Sequence, residues 1–225
     1  MGVMEDGAHH LVDLSHPISD GMITYPGLPG PELSDHVTRA AAEEHYGPGV
    51  TFHIGRISMV ANTGTYVDSP FHRYADGVDL AGLSLDRLAD LDGVVIDRTT
   101  GRRGVEVDDL SGVEVAGRAV LIRTGWDRHW RTPAYAIDAP FVTSAAAEWL
   151  VANGAALVGI DAINIDDIDD LNRPAHSLLL AAGIPVVEHL AGLADLAADG
   201  FRFHAVPPCV ERFGTFPVRA YAIVG

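Results

Sequence analysis

The chain has 225 residues, of which 31 are acidic and 15 basic, for a formal charge of -16 at pH 7. This balance argues against nucleic acid or an anionic membrane as partner, because phosphates would be repelled and no Lys/Arg cluster is present to release counterions. The length suits one α/β domain burying roughly 70% of its unfolded surface. Cys209 is the only cysteine, which excludes an intrachain disulfide and a thiolate-rich zinc site.

Acidic residues near the start (Glu5, Asp6) and the lack of any run of about 18 apolar residues predict a cytosolic protein without a membrane span. Residues 1–10 are polar and expected to be flexible, and residues 11–225 are expected to form a single domain. Order begins at Leu11-Val12-Asp13-Leu14, and the Pro/Gly-rich stretch from Tyr25 to Pro31 reads as loop. Between Val50 and Val60, Phe52, Ile54, Ile57 and Met59 are interleaved with His53, Gly55, Arg56 and Ser58, a strand-like alternation that puts His53 on a polar face.

The next stretch, Ala61 to His72, is polar and turn-rich. Gly64 permits a positive φ and Pro70 fixes the chain after Ser69, so Asp68 and His72 sit on a stiff, irregular segment. Leu80 to Leu88 suggests a short helix or turn capped by Ser84. Val94-Val95-Ile96-Asp97 and Ala119 to Arg123 read as buried strands. A helix follows over Thr143 to Val151, capped by Thr143 or Ser144, with Ala146, Trp149 and Leu150 on one face and a stop at Asn153-Gly154.

Ala156 to Ile160 reads as a strand, Asn164 to Asn172 as a loop whose Asp-rich run from Asp166 to Asp170 is solvated, and Ala175 to Ala182 as a helix ended by Gly183. Pro185-Val186-Val187 is a strand with Glu188 at its end, Leu190 to Ala198 a helix, and Phe201 to Val206 and Val218 to Val224 closing strands. The helix–strand order can return Glu188 towards His176. Alternating elements of this kind argue for α/β with a partly parallel sheet.

Several candidate chemistries are missing. No G-x-S-x-G surrounds Ser15, Ser58 or Ser69, and neither G-x-G-x-x-G nor a Walker loop occurs. Cys209 lacks a nearby base and is expected as a small buried side chain. Tyr25, Phe52, Phe71, Trp126 and Trp130 are aromatic residues for the core or for an apolar pocket.

The segment Asn62-Thr63-Gly64-Thr65-Tyr66-Val67-Asp68-Ser69-Pro70-Phe71-His72 resembles the signature H-x-G-T-H-x-D-x-P-x-H of the metal-dependent cyclase and kynurenine formamidase-like hydrolases. Val12 to Pro17, Tyr25-Pro26-Gly27, Arg123 to Trp126, Gly159-Ile160-Asp161, Pro174-Ala175-His176, Gly183 to Glu188 and Pro217 to Ala220 are similar to blocks of the same family in the same order. The chain is thus identified as a member, with Asn62 and Tyr66 where the pattern has histidines.

The resemblance implies a swivelling β/β/α-type α/β domain with a mixed sheet, and a homodimer or homotetramer acting on a small molecule. It implies one divalent ion, zinc or manganese, held by Asp68, His176 and Glu188. It also implies His72 as general base acting with Glu188, and Asn62, Tyr66 and Phe71 facing the substrate. Such a set opens a C–N bond (amide, formamide, lactam) or a C–O bond (lactone) of a cyclic or aromatic acyl compound. Because two histidines of the pattern are replaced, a metal-independent cyclase or lactonase working through Tyr66 and His72, and a ligand-binding relative without turnover, stand as alternatives.

Overall fold

The computed structural model describes residues 9–225. Residues 1–8, most of the segment expected to be flexible, lie outside the described residues, and the first strand begins at His10 rather than Leu11. In chain order the elements are β1 (His10–Asp13), β2 (Glu32–Val37), α1 (Arg39–Tyr46), β3 (Ile54–Ser58), β4 (Tyr66–Asp68), β5 (Leu91–Asp97), β6 (Gly104–Val105), α2 (Val107–Leu110), β7 (Ala119–Arg123), β8 (Phe141–Val142), α3 (Ser144–Ala152), β9 (Leu157–Ile160), α4 (Pro174–Ala181), β10 (Val186–Glu188), β11 (Phe201–His204), β12 (Thr215–Pro217) and β13 (Tyr221–Val224).

A 9-stranded mixed sheet carries the fold in the order β1-β13-β11-β5-β7-β9-β10-β4-β12. Strands β5, β7, β9 and β10 run parallel, and the flanking pairs are antiparallel. The parallel strands are apolar on both faces because both faces are covered. In β7, Val120 and Ile122 pack with Ala146, Leu150 and Leu179 of α3 and α4, while Ala119 and Leu121 pack with Leu14, Leu157, Leu190 and Phe203 on the other side.

Helix α3 forms as its sequence predicts. The Thr143 hydroxyl accepts from Ala146 N–H at 3.3 Å, Ala146, Ala147 and Leu150 are buried, and the helix stops at Asn153. Trp149 is only partly buried against the same core. Ser84 likewise caps a 3-10 turn at Leu85–Arg87.

Other expectations fail for identifiable reasons. Leu190 to Ala198 is not a helix and holds only a 3-10 turn at Leu193–Asp195. Its first amides are claimed by distant acceptors, with Leu190 N–H on the Ile160 carbonyl, Ala191 N–H on that of Leu14 and Gly192 N–H on Asp127 Oδ2. Gly192 then takes a left-handed backbone (φ 66, ψ 15), which a right-handed helix cannot continue through. Val218 to Val224 does not form one strand either. Thr215–Pro217 and Tyr221–Val224 join different parts of the sheet, β12 beside β4 and β13 between β1 and β11.

The Val50 to Val60 alternation does yield a strand, β3, but this pairs only with β2 in a two-stranded ribbon exposed on both faces. His53 pairs there with Asp35 at 2.7 Å. Helix α1, β2 and β12 were not legible in the sequence. Cys209 is exposed rather than buried, because Val206 to Glu211 is an irregular surface segment. Among the described residues no helix is long and apolar enough to cross a membrane.

Candidate active site

Strand β4 lies between β10 and β12, and its register decides which side chains meet. Tyr66 is opposite Glu188 and Pro217, and Asp68 is opposite Val186 and Thr215. Residues two apart share a face of a strand and cross-strand partners stand side by side, so Tyr66, Asp68, Glu188 and Thr215 form one polar face. The Tyr66 hydroxyl donates to Glu188 Oε2 at 2.6 Å, and the Thr215 hydroxyl donates to Asp68 Oδ1. Val67 and Val187, between them, point to the apolar core.

The chain then turns back over this face. Ser69 N–H donates to the Gly214 carbonyl at 2.7 Å and a 3-10 turn at Pro70–His72 follows. His72 crosses the Gly214 backbone so closely that a Cβ there would lie 2.4 Å from His72 Cα and N, so only glycine fits. Gly64 has φ +68, as expected, and its N–H donates to the Thr24 hydroxyl. His72 Nδ1 lies 2.8 Å from Thr215 Oγ1. The one hydroxyl proton of Thr215 is already given to Asp68, so His72 Nδ1 carries a proton and donates it. Its Nε2 lone pair is left free.

Helix α4 brings in His176. Pro174 occupies its first turn, and Arg173 before it adopts a left-handed backbone (φ 52, ψ 57) with no side-chain cap. Asp166 serves as the cap instead, accepting from Ala175 N–H at 2.6 Å and from His176 N–H at 3.1 Å. Its Oδ2 also accepts from His176 Nδ1 at 2.7 Å. That bond turns His176 Nε2 towards Asp68 Oδ2 and Glu188 Oε1, each at 3.5 Å.

The electrostatics of this cluster favour a cation. Asp68 and Glu188 are fully buried, as is His176 almost entirely. Burial pushes Glu188 up to about 7, with the Asp68 charge adding to it against the pull of His176. Burial also opposes the ionised form of Asp68, but His72 and His176 together with the Thr215 bond outweigh it and hold Asp68 below its ordinary value. For His176 burial disfavours the charge, yet Glu188, Asp166 and Asp68 outweigh it and raise the imidazole to about 10.

Two atoms stay unpartnered in this buried setting, Asp68 Oδ2 and His176 Nε2. An anionic oxygen and an imidazole nitrogen facing one gap, with the imidazole oriented by a carboxylate behind it, are suitable donors for a divalent ion. Asp68, His72 and His176 each offer a ligand atom within 4.8 Å of the others. Glu188 Oε1 adjoins them while also accepting from Ile165 N–H at 2.6 Å. The residues present therefore fit a divalent cation.

A second buried chain runs behind Glu188. His189 (φ 56) is kept neutral by burial, which lowers it to about 3. Its Nδ1 accepts from Tyr135 Oη at 3.0 Å, and its Nε2 donates to the Tyr66 oxygen at 3.3 Å. Burial and the neighbouring charges of Glu188 and Asp68 raise Tyr66 well above its ordinary value, so its phenol stays protonated and is committed to Glu188.

A cavity of about 470 Å³ opens over these residues. Asn62, Tyr66, His72, His176 and Glu188 line it together with Tyr25, Leu28, Arg73, Asn164 and Arg173. Asp68 lies beneath its floor at 0% exposure. Phe71 is not in this lining and faces an adjoining cavity that shares Asn62 and His72. Trp126 and Trp130 pack with Tyr135 and Ile163, and Phe52 packs on Tyr46.

Sequence reasoning missed Asp166, read as part of a solvated loop but only 2% exposed, because an Asp-rich run does not reveal which carboxylate turns inward. It also missed Thr215, Asn164, Arg173, His189 and Tyr135. The Asp166 to His176 spacing is the one signal that could have been used, since a carboxylate in the loop before a helix is placed to cap it.

Residues 12–167 match the Cyclase family, described as putative cyclase. The chain belongs to this family. Among its curated relatives are the kynurenine formamidases of Bacillus cytotoxicus and Bacillus cereus. The first is 28% identical over 220 residues (95% of this chain, 97% of that protein), and the second 27% over 216 residues (93% and 95%). An isatin hydrolase bound to the product analogue thioisatinate has the same fold, with a TM-score of 0.82 and 24% identity over 97% of this chain and 93% of its own. So does a protein described as a potential metal-dependent hydrolase with cyclase activity, at a TM-score of 0.80 and 24% identity, covering 97% of this chain and 99% of its own. This cyclase-family chain differs from the signature at Asn62 and Tyr66, and the Tyr66 hydroxyl now holds Glu188.

Proposed function

We propose that this cyclase-family protein is a divalent-metal-dependent hydrolase that opens a C–N or C–O acyl bond of a small cyclic or aromatic substrate. The observation that carries this reading is the unpartnered pair Asp68 Oδ2 and His176 Nε2, buried beside Glu188 under an open cavity. Asp68 and His176 would hold the ion, zinc or manganese, with Glu188 beside them. A bound divalent ion acidifies water and polarises an acyl oxygen. The full-length similarity to kynurenine formamidases supports the hydrolase class. The protein is read as a cytosolic homo-oligomer whose mixed sheet is of the swivelling β/β/α type.

The remaining steps fall to the chain's own groups. His72 Nε2, with its Nδ1 proton anchored on Thr215, accepts the proton of the attacking water and returns it to the leaving nitrogen or oxygen. The Asn62 amide lines the cavity beside Tyr66 and supplies a donor for the developing oxyanion, whereas the Tyr66 hydroxyl is committed to Glu188. Run backwards, the same steps close a ring. The metal-free alternative with Tyr66 as acid is weakened by the raised Tyr66 phenol and its fixed partner.

Elemental analysis of protein purified without chelator, alongside turnover of a panel of formamides, lactams and lactones, tests this reading. Asp68→Ala and His176→Ala are expected to lose both metal and turnover. His72→Ala is expected to keep the metal and lose turnover. Metal-free wild-type protein with full activity would sink the proposal.

A further inference from the structure

The chain contains no lysine, so all of its 15 basic residues are arginines. Two of them, Arg73 and Arg173, line the cavity above Asp68 and His176. Neither makes an ion pair among the described residues, although six of the other arginines do, and both face the same cavity. In a protein of charge -16, whose overall field repels anions, unpaired cations in one cavity mark a local preference of opposite sign.

Arg173 is the better defined of the two. It is half-buried and its fork is held by neutral partners, Nη1 donating to Asn164 Oδ1 at 3.1 Å and Nη2 to the Tyr25 hydroxyl at 3.2 Å. Asn164 is itself fixed, its Oδ1 also accepting from Asp166 N–H at 3.0 Å. The left-handed backbone of Arg173 is a conformation that non-glycine residues rarely adopt, and it persists where surrounding structure over-determines it. With two of its five N–H donors fixed on neutral groups, the rigid plane keeps three, enough to match a carboxylate. Arg73, with Nε donating to Ser177 Oγ at 3.1 Å, adds a second positive charge at the exposed edge.

We infer that Arg173, supported by Arg73, binds a carboxylate on the substrate, so that the protein selects an anionic aromatic or alicyclic acyl compound over its neutral analogue. This deepens the hydrolase reading and rests on it for the word substrate, but anion binding itself can be measured independently. Tyr25 and Asn164 are positioning residues that hold the fork. Pro26 and Leu28 give the cavity the apolar wall against which a ring would lie.

The test has two arms. In the first, binding of benzoate and of benzamide is measured by calorimetry on wild type, Arg173→Asn and Tyr25→Phe, each with added zinc and with EDTA. Asparagine is chosen because it tolerates the left-handed conformation. Wild type should bind benzoate at least about tenfold more tightly than benzamide, a ratio that charge-assisted pairing readily supplies. This preference should survive EDTA, collapse in Arg173→Asn and weaken in Tyr25→Phe. In the second arm, kcat/KM is compared for 3-formamidobenzoate and 3-formamidobenzamide, with the same collapse expected.

Equal binding of benzoate and benzamide to wild type would overturn the inference. So would benzoate binding that vanishes with EDTA yet is untouched in Arg173→Asn, which would assign the carboxylate to the metal. If neither formamide is hydrolysed, the hydrolase reading suffers while the calorimetry still decides the anion site.

Discussion

Asp166→Asn is the most informative single change, because it replaces one carboxylate oxygen by an amide nitrogen, turning an acceptor into a donor and removing a charge at nearly constant shape. In wild type, Asp166 Oδ2 accepts from both His176 N–H and His176 Nδ1–H, and Oδ1 accepts from Ala175 N–H. An asparagine that keeps its oxygen on Ala175 turns its amide towards His176. The imidazole must then accept at Nδ1 and keep its one proton on Nε2, facing Asp68 Oδ2, so an ion binds there only after a costly tautomer change. In wild type, by contrast, Asp166 holds the Nδ1 proton and leaves Nε2 to give up its own. Losing the carboxylate that orients a ligating imidazole typically weakens metal binding about 10- to 100-fold, or about 1.4–2.7 kcal/mol.

The same change removes a charge-assisted hydrogen bond worth about 1.5–3 kcal/mol and an anion at a helix N-terminus worth about 0.3–1 kcal/mol. Metal-free protein should therefore lose about 2–4 kcal/mol in urea unfolding, a drop of about 4–16 °C in Tm for a chain of this size. Zinc affinity measured against a competing chelator, with the urea curve taken in EDTA as the fold control, separates the two effects. A variant that is folded, destabilised and still binds zinc with wild-type affinity would refute the tautomer argument.

Further outcomes follow from other contacts. Tyr66→Phe leaves the buried Glu188 Oε2 without its donor, and chemical denaturation should report a loss of about 1.5–3 kcal/mol. Gly214→Ala forces a methyl into the His72 backbone; turnover should fall sharply while circular dichroism stays near wild type, and an unaffected rate would mean that His72 is not held by this crossing.

Asp161 accepts from Thr124 N–H, Thr124 Oγ1–H and Gly125 N–H, yet burial is the larger influence and raises its carboxyl to about 6. The folded state then binds this proton more tightly than the unfolded state, so stability falls as pH rises from about 4 to about 6 and levels off above, by up to about 3 kcal/mol. Relative to Asp161→Asn, wild type should lose that amount over this window; a flat difference would contradict it. The β2–β3 ribbon exposes Leu33, Ile54 and Ile57, so native mass spectrometry should find a homodimer or larger assembly, and a monomer at micromolar concentration would count against this.

Much of this protein was readable from local chemistry. The capping threonine and alanine-rich run of α3, the β-branched strands β5, β7 and β9, and the turn imposed by Gly64 and Pro70 rest on residues within a few positions of one another, whereas the candidacy of Asp68, His72, His176 and Glu188 rests on the family resemblance. Neighbour effects of this range act before any tertiary contact forms. They also failed at Leu190 to Ala198, where the chain is anchored to Ile160, Leu14 and Asp127 and Gly192 turns left-handed.

Local chemistry and the signature therefore reveal the class of fold, the family and the supply of polar groups. Which of those groups touch was decided by strand register and by one helix. The β4–β10 and β4–β12 pairings set Tyr66 on Glu188 and Thr215 on Asp68, and α4 set His176 against the buried Asp166. These partners are separated by up to 147 residues, and their approach depends on the whole sheet packing around them. A hydrogen bond needs placement within a few tenths of an ångström, and only the assembled tertiary structure provides that.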